Sequence, residues 1–130
     1  MNFVDTNYFL RFLLNEDSDQ HAEASNLFHL ASEGKVNLIT SLIVFFEIYW
    51  VLSSFYAKNR YDIVQLLQKI LNLNFIVLKE RQLLLDSLSL FQKTNLDLED
   101  CYNFYYAKSL NIKVDSFKTF DKKLLKEYSK

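Results

Sequence analysis

One glycine, Gly34, and no proline punctuate this chain of 130 residues. Turns must therefore be made by Asn, Asp and Ser, whose short polar side chains bond nearby backbone or tolerate unusual dihedrals. The same shortage removes functions. A glycine-rich phosphate loop needs several glycines within a few residues, so P-loop and dinucleotide-binding readings are excluded.

Between these polar turns, short β-rich runs alternate with helical ones. Phe3 and Val4 form an apolar run that stops at Asp5-Thr6-Asn7, and a helical run from Tyr8 to Leu14 follows at once. This reads as strand, tight turn and helix start, with Asp5 either a cap or something more. Asp19 to Ser32 has helical spacing and closes at Gly34. Val36 to Thr40 is the second strand, and Ser41 offers a cap for Leu42 to Tyr56, a run apolar nearly all round and expected to be buried on most faces. Asn59 to Leu71 is amphipathic, Asn74 to Leu78 is the clearest strand, and Lys79 to Lys93 and Leu96 to Leu110 are further helices. Ile112 to Phe120 supplies a fourth strand, mainly through Ser116 to Phe120, before a short basic helix or tail from Lys122. Strands separated by helices in this rhythm predict an α/β sandwich with a mainly parallel sheet.

The length fits one domain over residues 1–130 with a real core. The longest uncharged run, Val36 to Phe46, is too short to cross a bilayer, and Asp5 interrupts any leader-like start. With one cysteine, Cys101, there is no internal disulfide; a cytoplasmic protein is expected. The net charge of -1 gives no broad basic field, so a nucleic acid would be held by a local patch.

Four acids stand out. Asp5 and Asp121 end strands, and in a parallel sheet both reach the carboxyl edge, where function gathers. Glu47 is the only charge on its helix, and a lone ionised carboxylate among apolar neighbours needs a partner. It snorkels to solvent or pairs with a distant Lys or Arg, or it points into a polar cleft and binds a metal. Asp100 sits at a helix start with Asp97 one turn earlier, as ordinary acids favoured by the helix dipole or as part of a site. Asp121 is equally readable as a turn acid or cap. Carboxylates gathered together repel, and one is pushed toward protonation unless a cation joins them. Such hard oxygen donors suit Mg²⁺, with Mn²⁺ as a substitute. His21 and His29 lack the partners of a zinc site and read as surface residues, and Cys101 reads as a small buried one.

Val4-Asp5-Thr6-Asn7 with Tyr8-Phe9-Leu10-Arg11, Ser41 to Glu47 with Trp50-Val51-Leu52, Leu96-Asp97-Leu98-Glu99-Asp100, and Thr119-Phe120-Asp121-Lys122-Lys123 occur in this order across nearly the whole chain. In that order they resemble PIN-domain proteins, and more closely the VapC-type toxin ribonucleases of bacterial toxin–antitoxin pairs. The resemblance implies a three-layer α/β/α sandwich around a parallel sheet of four to five strands and a Mg²⁺-dependent endoribonuclease site. It makes Asp5, Glu47, Asp100 and Asp121 the catalytic acids. Asp97 is implied as an accessory metal ligand or a sharer of the third role, Thr6 and Asn7 as shapers of the turn, and Thr119 as orienting the site through its hydroxyl. It also implies a homodimer and a small antitoxin whose tail enters the acidic groove. Cys101 stands where the family usually has alanine, Asn111 where it has a helix-ending glycine, and the tail after Asp121 is short. None of these departures touches the four acids.

Metal-dependent hydrolysis of RNA is the reading these residues favour. Two rivals keep the fold: an interaction module without useful turnover, and a metal-dependent phosphatase of small molecules. Against the phosphatase, position seven is Asn, so no second Asp follows Asp5 two residues on.

Overall fold

The computed structural model describes residues 1–110 and 114–130, in two compact units, Met1–Glu80 and Arg81–Lys130. The first unit holds the sheet. Strands β1 (Asn2–Phe3), β2 (Leu38–Ile39) and β3 (Ile76–Val77) pair in parallel in the order β1-β2-β3. Asn2 stands opposite Leu38, and Leu38 opposite Ile76. Bonding continues past the strand ends: the Val4 N–H donates to the Ile39 carbonyl at 2.9 Å and the Thr40 N–H to that of Val77 at 3.0 Å. The buried Thr40 hydroxyl donates to the Val4 carbonyl at 2.9 Å, fixing the backbone one residue before Asp5.

Helix α1 (Thr6–Leu13) begins at once, α2 (Ser18–Ser32) follows, and the two pack together. Their seam is aromatic: Phe28 lies 5.5 Å from Phe9 and 4.8 Å from Phe12 between ring centres. Truncating a buried ring such as Phe9 to alanine costs about 3–5 kcal/mol. Gly34, at φ +76°, ends α2 as expected. Its N–H donates to the Ala31 carbonyl and that of Lys35 to Leu30, the paired bonds of a glycine-terminated helix. With no second glycine in the chain, the other left-handed position among the described residues falls to Ala57, at φ +50°.

Helix α3 (Leu42–Trp50) runs into a π-helical turn at Val51–Phe55 before α4 (Arg60–Leu71). Ser41 and Asn59 cap α3 and α4. The expectation that α3 is buried on most faces is corrected. Val44, Phe45 and Ile48 are buried, but Ile43, Glu47 and Trp50 recur at helical spacing on an exposed stripe.

The second unit contains α5 (Arg81–Lys93), α6 (Leu98–Ser109) and α7 (Lys122–Tyr128), with α6 packed on both α5 and α7. Tyr128 meets Phe104 edge-on at 5.7 Å. Cys101 is fully buried, as expected of a small residue.

The chain is an α/β protein with a parallel sheet, as the sequence pattern implies, but the described residues form three strands and not four or five. Ser116–Phe120 carries no ladder. Phe117 packs on Tyr128 at 4.9 Å, which commits the segment to α7, and Phe120 is fully exposed. The beginning of the expected fourth strand at Ile112, and Asn111 at the expected helix end, lie outside the described residues. Among the described residues no helix is long and apolar enough to cross a membrane.

Candidate active site

In the first unit, the β1–α1 junction places two acids. Asp5 is the N-cap of α1, and its Oδ1 accepts the Thr6 N–H at 2.7 Å. The turn therefore uses one carboxylate oxygen of Asp5 and leaves Oδ2 without a protein partner among the described residues. Thr6, almost fully buried, donates its hydroxyl to Oε2 of Glu47 at 2.7 Å. Residues 41 apart in the chain are thereby joined, and α1 and α3 are in contact. Glu47 is itself exposed, and no ion pair with Lys or Arg holds it among the described residues. A short hydrogen bond from a buried hydroxyl fixes the direction of this carboxylate without neutralising it.

In the second unit, Asp97, Glu99 and Asp100 open α6, and Asp121 opens α7. Asp97 occupies the N-cap position but makes no capping bond with its side chain. Asp121 does cap: its Oδ1 accepts from the N–H groups of Lys123 at 2.9 Å and Leu124 at 3.1 Å. The Thr119 hydroxyl accepts the Asp121 N–H at 3.0 Å, so Thr119 shapes the backbone that presents this acid. Asp100 has its carboxyl pKa raised above the ordinary value, first by burial and then by the negative charges of Asp97, Asp121 and Glu99. These acids sense one another, and the strain is of the kind a cation relieves. Among the described residues, no group of three or more His, Cys, Asp or Glu side chains is arranged to hold a metal ion as it stands.

Asn7, the third residue of the turn, lines a cleft of about 230 Å³ between α1 and α2 together with Tyr8, Arg11 and Glu23. Sequence reading did not single out Glu23 or Gln20 there, although Tyr8 and Arg11, three apart on α1, share a face. A second cleft of about 200 Å³ is lined by Lys123, Lys126 and Lys130 beside Thr94 and Asn95. Of these lysines, Lys130 is paired with Glu127 at 3.4 Å. His29 is exposed beside Glu33, whereas His21 is half-buried and bonds the Arg11 carbonyl at 2.8 Å through Nδ1. Neither histidine has the surroundings of a metal ligand.

Compared with known proteins, residues 3–130 match the family model described as the PIN domain. No curated protein and no solved structure matches the chain.

Proposed function

The chain belongs to the PIN-domain family, a nuclease-type fold, and from that premise we propose that it is a Mg²⁺-dependent endoribonuclease, the toxin of a type II toxin–antitoxin pair. The observation that carries the proposal is the match itself, spanning residues 3–130 and so including all five acids singled out from the sequence. The carboxylate donors fit a hard divalent cation, and the raised pKa of Asp100 among Asp97, Asp121 and Glu99 supports that fit.

In this reading Asp5, Asp100 and Asp121 hold the metal directly or through water, with Asp97 as a further ligand. A bound Mg²⁺ supplies charge neutralisation at the phosphodiester and a more acidic water. Glu47, fixed through Oε2 by Thr6, accepts at Oε1 the proton of the attacking water as the new oxygen–phosphorus bond forms and the bond to the leaving oxygen breaks. Thr119 holds the backbone of Asp121. Lys123 and Lys126 contact RNA phosphates from their cleft.

The toxin role brings two partners into the proposal: a second copy of the chain and a small antitoxin. The exposed Ile43 and Trp50, either side of Glu47 along α3, offer apolar surface for protein contact. RNA as substrate fits a cytoplasmic protein. The decisive experiment is cleavage of RNA in Mg²⁺ by the protein and by Asp5→Asn. A loss of at least about 100-fold with an unchanged melting profile is expected. Cleavage at the original rate by the variant defeats the assignment. Release of phosphate from small esters with RNA left whole would install the phosphatase, and absence of any metal-stimulated turnover the interaction module.

A further inference from the structure

The cleft between α1 and α2 begins two residues after Asp5, and its polar groups have no role in the mechanism above. Glu23 and Arg11 both line it, yet they form no ion pair with each other among the described residues. Each is held by something else. The Tyr8 hydroxyl donates to Oε2 of Glu23 at 2.9 Å, and Nε of Arg11 donates to Oε1 of Gln20 at 2.6 Å. Oε1 of Glu23 and both Nη groups of Arg11 are left without protein partners among the described residues. The cleft thus offers a carboxylate acceptor, a guanidinium donor fork and the ring of Tyr8. Ala24, buried and small, leaves room between them.

This combination selects its ligand. A phosphate would meet the negative charge of Glu23. The volume of about 230 Å³ lies below that of a drug-sized site and suits one planar base. A carboxylate is best satisfied by two adjacent N–H donors, and among the four RNA bases guanine presents them, at N1 and the 2-amino group. The guanidinium is best satisfied by adjacent acceptors, which guanine presents at O6 and N7. A tyrosine ring adds a stacking surface.

We propose that this cleft binds a guanine base of single-stranded RNA next to the bond that is cut, with Glu23 reading N1–H and the 2-amino group, Arg11 reading O6 and N7, and Tyr8 stacking. The proposal rests on the ribonuclease reading. It makes the α1–α2 surface the source of base specificity.

The test is kcat/KM on short unstructured RNAs that differ at one position: guanosine, inosine, 7-deazaguanosine or adenosine. The guanosine substrate is expected to lead the adenosine one by more than about 5- to 150-fold, the range of one good bidentate contact, because adenine breaks both the Glu23 and the Arg11 pairing. Inosine, lacking the 2-amino group, and 7-deazaguanosine, lacking the N7 acceptor, are each expected to fall between. Glu23→Gln should cut guanosine and inosine alike, and Arg11→Met should cut guanosine and 7-deazaguanosine alike. The base analogues leave the protein intact, so they decide the matter even if a variant misfolds. Equal cutting of all four substrates overturns the guanine site while the ribonuclease stands. Failure to cut any RNA removes both.

Discussion

Asp5 and Glu47 in one unit are held differently from Asp97 and Asp100 in the other, while Asp121 caps its helix as Asp5 does. In Met1–Glu80, Asp5 caps a helix and Glu47 accepts the hydroxyl of a buried threonine, so each is anchored by one oxygen. In Arg81–Lys130, Asp97 makes no capping bond and Asp100 is surrounded by like charges. The first pair is oriented by hydrogen bonds that folding supplies. Asp100 is under electrostatic strain that folding leaves unrelieved. Orientation should therefore be the sensitive variable in the first unit, and charge in the second.

The largest effect should come from breaking the anchor. Thr6→Val keeps the shape of the buried side chain but leaves Oε2 of Glu47 without its donor. Removing a partner that orients a site carboxylate typically costs 10- to 100-fold, and a loss of about that size in kcat is expected here. Thr6→Ser should recover most of it, because the hydroxyl returns. Thr119→Val should lose less, since the Thr119 hydroxyl meets the backbone of Asp121 and not its carboxylate. Equal losses at Thr6 and Thr119 would erase the distinction between the units.

Next in size is the response to metal. A ligand that binds the folded state alone at about 100 times its Kd adds about 2.7 kcal/mol. For a chain of this length that is a rise in Tm on the order of 5–12 °C. Mg²⁺ should raise the Tm of the protein and a chelator should return it. In a protein carrying both Asp97→Asn and Asp100→Asn the rise should be nearly lost. An undiminished rise would mean that Asp97 and Asp100 do not hold the metal.

What the sequence made legible follows the range of the interactions. Local physics was readable: the Ser41 cap, the Gly34 helix end and the amphipathic face of α4, through Ile63, Leu67 and Ile70, all lie within a few residues of their cause. The parallel α/β arrangement was readable from the alternation of elements. Strand extent was not, because each ladder holds two residues per strand and depends on partners far along the chain. Ser116–Phe120 alternates like a strand, yet Phe117 finds Tyr128 instead. At the site, the acids were visible as residue types in context. The argument that Glu47 needs a partner because it is buried did not hold, since Glu47 is exposed; its partner is Thr6, and a bond across 41 residues leaves no local mark. The meeting of Tyr8 with Glu23 across two helices was hidden for the same reason.

The smallest effect is the most direct reading of the strain on Asp100, and its sign is fixed by linkage. The carboxyl has a raised pKa in the folded protein, so the folded state binds this proton more tightly than the unfolded chain does. The resulting stabilisation is complete below the ordinary aspartate value of about 3.9 and is lost as pH rises through the raised folded value. At neutral pH without metal, ionised Asp100 therefore destabilises the fold. Asp100→Asn should raise Tm there by about 1–2 °C, a small gain because the group is partly solvated and its repulsions are screened. Salt at roughly 1 M, where the Debye length is about 3 Å, should shrink the gain but leave the part due to burial, the larger cause. The gain should also vanish at a pH low enough to protonate Asp100 in the original protein. Mg²⁺ should reverse the order, making the original protein the more stable of the two. A variant that melts below the original in metal-free neutral buffer would show that Asp100 is held by attraction, and the contrast between the anchored pair and the strained group would fall with it.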